Sequence, residues 1–138
     1  MATAEGTSPV ATPARERSPL FSGLVGLASL GILLQGVWAG LFIHEGHGFR
    51  ENWVNVHSIG GSVIGALALI AVIVALVQLR HRRDLVVASV VFFLLLVLEI
   101  FLGGLIGDTP ALAAVHIPLA LALMGMAVWL PLRATRRG

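Results

Sequence analysis

The chain has 138 residues, of which 57% are hydrophobic and only 12% are charged, and its mean hydropathy is +0.95. This composition excludes a soluble globular domain and predicts an integral membrane protein. The chain holds no cysteine, which excludes disulfides, thiolate metal sites and iron–sulfur clusters.

Residues 1–18 contain Ala, Thr, Ser, Pro, Glu and Arg without an apolar period, so we expect a disordered cytoplasmic tail. A cleavable signal peptide is the alternative, because Val37-Trp38-Ala39 resembles a cleavage site after an apolar stretch. The apolar run continues past that point to Ile43 and is long enough to cross a membrane. We therefore interpret it as the first spanning helix.

Four apolar runs predict four membrane-spanning helices at about 20–43, 56–79, 85–107 and 111–132. Each run holds over twenty residues, which at about 1.5 Å per residue covers a hydrocarbon core of roughly 30 Å. Helices are expected because lipid offers no hydrogen-bond partners to an open backbone. The fold class is therefore all-α, with residues 19–134 forming one transmembrane domain and residues 135–138 a second cytoplasmic tail.

The nine basic residues are all arginine, and their distribution predicts the topology. Only Arg50 lies on one side of the predicted membrane. The positive-inside rule places the other side, and with it both termini, in the cytoplasm. The pI of about 11.1 is therefore a topology signal and not an indication of nucleic-acid binding. The eight cytoplasmic arginines are Arg15, Arg17, Arg80, Arg82, Arg83, Arg133, Arg136 and Arg137.

The connection after the first helix contains His44, Glu45 and His47 within four residues. Two histidines at i and i+3 beside a carboxylate can bind zinc or copper from the outer side. The alternatives are a loop without metal, or a loop whose histidines supply a ligand or a proton to a site inside the bundle.

Two histidines begin the second and fourth predicted helices. His57 is followed at steps of four by Gly61 and Gly65, which leave room for a flat ring system beside the backbone. His116 lies in the corresponding position of the last helix. The third helix carries Glu99, and a carboxylate at that depth is expected to be neutral or to face a partner inside the bundle.

An internal repeat relates the two halves of the chain. Aligning residues 34–41 with residues 98–105 pairs Gln35 with Glu99, and each segment leads through a connection to a Val-His pair. The bundle is thus predicted to be a duplicated two-helix hairpin, with both copies inserted in the same direction. His57 and His116 would then lie at equal depth on diagonal helices, roughly 11 to 14 Å apart.

Two imidazoles facing each other in this way predict a single b-type haem with His57 and His116 as its axial ligands. Gln35 and Glu99 would line the same cavity, and Arg50 would meet the propionates. Six-coordinate, low-spin iron favours electron transfer over oxygen binding. The competing interpretation is that each histidine only bonds a neighbouring carbonyl and fixes helix packing.

The residues carry a resemblance to known proteins. Gln-Gly-x-x-x-Gly at 35–40, His57 with Gly60 and Gly61, the arginine-rich inner connection and Val-His116-x-Pro resemble a family of small uncharacterised bacterial four-helix integral membrane proteins. The layout is also similar to half of a haem A synthase and to cytochrome b-type membrane subunits. Haem A synthases carry Glu-x-x-x-His on one helix, which does not occur here, so the resemblance implies haem binding without the synthase chemistry.

These features favour a multi-pass protein of the bacterial cytoplasmic membrane that passes electrons between the quinone pool and an acceptor at the outer face. Its partners would be the lipid bilayer and a quinone or another redox partner. The alternative is a haem-free accessory or assembly subunit. Transport is less favoured, because four helices form a pathway only if several copies associate.

Overall fold

The computed structural model describes residues 18–44 and 47–135, with only the helical backbone described for His44 and residues 47–50. The elements in chain order are α1 (Pro19–His44), α2 (His47–Gln78), α3 (Arg83–Leu105), a 3₁₀ turn (Pro110–Leu112) and α4 (Ala113–Thr135). The described ranges contain no strand. The predicted all-α class with four long helices is confirmed.

All four helices are long and apolar enough to cross a membrane by length and composition. The two shortest, α3 and α4, have 23 residues each and are about 34 Å long. Large aliphatic side chains such as Leu27, Ile73, Leu94 and Leu121 are more than half exposed. An exposed apolar surface of this kind is compatible with contact to lipid.

Two helix ends differ from the predicted ones. α2 starts at His47 rather than near residue 56, because no proline interrupts residues 47–56 and the predicted connection continues the helix. His57 therefore lies about three turns inside α2, whereas His116 lies in the first turn of α4. Pro110 opens the 3₁₀ turn, and Thr109 precedes it without a side-chain cap bond.

The helices are arranged as a square in which sequence neighbours pack side by side. α1 contacts α2 and α4, and α3 contacts the same two helices. Among the described residues, the backbones of α2 and α4 are not in contact, and neither are those of α1 and α3. The two histidine-bearing helices are therefore diagonal.

The apolar core fills only part of the bundle's length. We call the end that contains Ser18, Gln78, Asp84 and Arg133 the arginine end, and the end that contains His57 and His116 the histidine end. Core residues run from the arginine end to Ile32 on α1 and Ile64 on α2. They form two clusters. The first contains Phe21, Val25, Ala71, Val74, Ala75, Leu79, Leu85 and Leu130. The second contains Ala28, Ile32, Ile64, Ala68, Phe92, Leu96, Leu123 and Ala127.

Polar contacts connect the helices at the arginine end. Ser18 caps α1 by accepting a bond from the Phe21 N–H and donates to Gln78 Oε1 at 2.6 Å. Asp84, in the first turn of α3, accepts from Arg82 at 3.2 Å and from Arg133 Nε at 3.0 Å. These bonds connect α1 with α2 and α3 with α4.

Candidate functional site

Four polar side chains, one from each helix, lie at the histidine end. Gln35 is on α1, His57 on α2, Glu99 on α3 and His116 on α4. We call this set the polar layer. The contacts described below place its members at the same height along the bundle.

His57 is anchored to α1 through the main chain. Its Nδ1 lies 3.2 Å from the carbonyl oxygen of Gln35, within hydrogen-bond distance. The ring of Phe42, one to two turns further along α1, meets the imidazole edge-on at a centroid distance of 5.4 Å and an angle of 81°. The ring of His57 is half-buried and packs against α1.

His116 is placed against α3 by Glu99 and Gly103. Its Nδ1 lies 3.2 Å from Glu99 Oε1, but the two atoms are not aligned as a formed hydrogen bond. A Cβ on Gly103 would be only 3.0 Å from His116 Cε1, so glycine is what lets the imidazole lie against the helix. Glu99 and Gly103 are four residues apart and share one stripe of α3.

The side chain of Gln35 points away from His57 and toward the glycines of α2. A Cβ on Gly60 would be 2.7 Å from Gln35 Nε2 and 2.5 Å from Trp38 Cζ3. One residue on, a Cβ on Gly61 would be 3.7 Å from both Gln35 Nε2 and Ile100 Cγ1. The space beside Gly61, predicted to receive a ring system, is thus shared by these two side chains.

The two histidines lie on diagonal helices of the square. Gly61, one turn after His57, lies beside Ile100 on α3, and His116 lies beside Glu99 and Gly103, so α3 meets both histidine-bearing helices at this height. His57 contacts Gln35 and His116 contacts Glu99, the two residues that the predicted repeat aligns.

The polar layer contains buried polar atoms without hydrogen bonds. Both side-chain atoms of Gln35, both carboxylate oxygens of Glu99 and Nδ1 of His116 belong to this group. Buried polar groups in folded proteins are nearly always bonded, so a cluster of unbonded ones at one height indicates a place for a ligand or internal water.

Sequence reasoning missed several residues of this site. Trp38 and Phe42 were not singled out for it, although they follow Gln35 along α1 at helical spacing. Gly103 could have been found from the sequence. A glycine four residues after a carboxylate in an apolar helix lies on the same face as that carboxylate and leaves space there for another side chain. Small residues at such positions allow another group to come close to the backbone.

The predicted loop metal site falls largely outside the described residues. Glu45 is not described, and only the helical backbone is described for His44, His47 and Arg50. Within the described part of the chain, no three His, Asp or Glu side chains converge as a metal site would require. The zinc or copper site and the role of Arg50 stay predictions.

Comparison with protein-family models, curated proteins and solved structures finds no match to this chain. The resemblance to small bacterial membrane proteins and to haem A synthase therefore stays a prediction.

Proposed function

We propose that this protein spans the bacterial cytoplasmic membrane four times with both termini inside, and binds one haem b between His57 and His116. In this proposal it passes electrons between the quinone pool and an acceptor at the outer face. The observation that carries the proposal is the pairing of each histidine Nδ1 with an oxygen of the neighbouring helix.

Such pairing is what axial ligands need. A metal-binding histidine almost always directs its other ring nitrogen to a carbonyl or carboxylate, which fixes the tautomer and the ring orientation. Here the Gln35 carbonyl and Glu99 serve as these oxygens, both at 3.2 Å. Nε2 of each ring would then be the metal-binding nitrogen. The two rings come from diagonal helices, so one haem between α2 and α4 would be held by both.

The packing at the histidine end supports the same proposal. Beyond Ile32 on α1, before Ile64 on α2 and throughout residues 113–122 of α4, none of the side chains described is fully buried. Glu99 is the buried exception on α3. In this proposal a flat apolar ligand would separate the four helices at this end, where few side chains are fully buried.

Each polar residue has a definite part in this proposal. A bound haem would supply one-electron redox chemistry. His57 and His116 would hold the iron, and Gln35 and Glu99 would orient these two ligands. Arg50, on the outer side, would neutralise the propionates.

Histidine replacement tests the proposal directly. Protein purified from haem-supplied cells is expected to show a Soret band that is lost in His57→Ala and in His116→Ala. His81→Ala is the matched control, because His81 is exposed in the connection between α2 and α3 and should leave the band unchanged. A colourless wild-type protein, or retention of the band in both site variants, would contradict haem binding.

A haem-free accessory subunit is the second candidate, and one observation favours it. The hydrogen bond from His57 to the Gln35 carbonyl and the tight fit of Trp38 against Gly60 are also what plain helix packing would use. This candidate predicts a colourless protein in which His57→Ala lowers stability but changes no spectrum. Absorption spectra and thermal unfolding of the same preparations separate the two candidates.

A further inference from the structure

We propose that Glu99 is a positioning residue that makes the two histidines unequal, and that its carboxylate sets the haem affinity and reduction potential through His116. This inference rests on the proposed haem site. It assigns to one side chain the control of that site's electronic properties.

The burial of Glu99 is the first observation. The residue is only 8% exposed, and neither of its carboxylate oxygens makes a hydrogen bond in the described structure. A carboxylate within an apolar bundle is expensive unless it meets a partner. His116 Nδ1, at 3.2 Å, is the polar side-chain atom that the structure brings to it.

The shape of α3 beside His116 is the second observation. Gly103 lies one turn after Glu99, and its missing side chain is replaced by the imidazole of His116. The ring is therefore confined to the stripe that also carries the carboxylate. The distance between Nδ1 of His116 and Oε1 of Glu99 is that of a hydrogen bond, but the two groups are not aligned to form one.

The other histidine provides the contrast. His57 Nδ1 faces the neutral main-chain carbonyl of Gln35, while the amide of Gln35 points to Gly60 and Gly61. A carboxylate makes its imidazole partner a stronger electron donor than a neutral carbonyl does, and stronger donation favours ferric over ferrous iron. His116 is thus the ligand whose electron donation can be tuned by a side chain.

Haem-loaded full-length protein with three substitutions tests this inference. Glu99→Gln keeps the shape and an acceptor oxygen but removes the charge. Glu99→Leu removes both side-chain acceptors and leaves only the main chain beside His116. Asp84→Asn is the matched control, since it also replaces a carboxylate with an amide, but at the arginine end and away from both histidines. The measurements are haem affinity, the low-spin electron paramagnetic resonance signal and an equilibrium redox titration.

We expect Glu99→Gln to stay low-spin and to raise the midpoint potential by about 59 mV or more, the shift that a tenfold change represents for one electron. Glu99→Leu should weaken haem binding by about 10–100-fold, as the loss of such partners does in other metal sites. Asp84→Asn should change neither property.

Three outcomes would overturn the inference. An unchanged potential in Glu99→Gln would show that the charge has no influence. Equal shifts in Asp84→Asn would show a general effect of removing a negative charge. Unaltered haem affinity in Glu99→Leu would show that the main chain alone positions His116. In each case the Soret band of the wild type remains, whereas a wild-type protein without haem would refute the proposed function itself.

Discussion

The two ends of the bundle use polar residues in opposite ways. At the arginine end, Ser18 bonds to Gln78, and Asp84 is bonded to two arginines. At the histidine end, the side chains of Gln35 and Glu99 are buried without hydrogen bonds. The polar side chains of the first end are hydrogen-bonded to one another, whereas those of Gln35 and Glu99 are not, although His116 Nδ1 lies 3.2 Å from Glu99 Oε1.

This difference separates polar residues that connect helices from polar residues that form no hydrogen bond within the described structure. A satisfied bond adds to stability and is lost on mutation, whereas an unsatisfied buried group adds nothing and costs free energy. Removing a polar side chain should therefore destabilise the protein at the arginine end and not in the polar layer. The four predictions that follow test this comparison, from the largest effect to the smallest.

Gly60→Ala should cause the largest loss. The added methyl would lie 2.5 Å from Trp38 Cζ3 and 2.7 Å from Gln35 Nε2, which forces α1 away from α2. We expect a destabilisation of about 1–3 kcal/mol, the usual cost of overpacking. Unfolding in mixed micelles measures it. Gly36→Ala is the control, because a Cβ there meets nothing within 4 Å; equal stability of the two variants would contradict the close packing.

Ser18→Ala should lower the free energy of unfolding by about 1–2 kcal/mol, because it removes a helix cap and an interhelical hydrogen bond together. The same unfolding assay applies. Ser62→Ala offers a comparison, since the Ser62 hydroxyl is exposed and bonds only within its own helix. A Ser18 variant as stable as the Ser62 variant would mean that the arginine end is not held by this contact.

Asp84→Asn should cost about 0.5–1 kcal/mol. Its ion pairs with Arg82 and Arg133 are partly exposed, and exposed pairs contribute little. The loss should shrink further at high salt. The haem spectrum, where present, should not change, because the pairs lie at the opposite end from His57. A salt-independent loss would argue against an electrostatic origin.

Gln35→Leu should have the smallest effect, with stability unchanged or slightly raised. The substitution removes two buried atoms without partners and keeps the main-chain carbonyl that bonds His57. Unfolding in mixed micelles again provides the measurement. A loss comparable to that of Ser18→Ala would show that the amide has a stabilising partner, and the comparison between the two ends would fail.

Much of the fold follows from hydropathy alone. Four apolar runs predicted four helices, and the structure has them with α1 and α4 close to the predicted bounds. The start of α2 was not predictable from hydropathy, because residues 47–56 are polar enough for a loop yet contain no residue that ends a helix. The diagonal placement of α2 and α4 was predicted from the repeat and is found in the structure.

The site was predictable only in part. Gln35, His57, Glu99 and His116 were selected as polar residues in apolar helices, and the structure brings all four to one height. Their contacts depend on helix rotation, which a nearly uniform apolar sequence does not specify. Two contacts could therefore be seen only in the structure. His57 bonds the main-chain carbonyl of Gln35 and not its amide, and His116 packs against Gly103.

The apolar core ends at Ile32 on α1 and at Ile64 on α2, and this should affect the rate of amide hydrogen exchange. Segments without buried side chains open at lower free energy than the packed region beside them. Amide protons of residues 36–42 should then exchange with deuterium sooner than those of residues 24–32 on the same helix. A ligand that binds beside residues 36–42 would slow the exchange of their amide protons. Hydrogen exchange would therefore detect such binding even for a ligand that has no visible absorption.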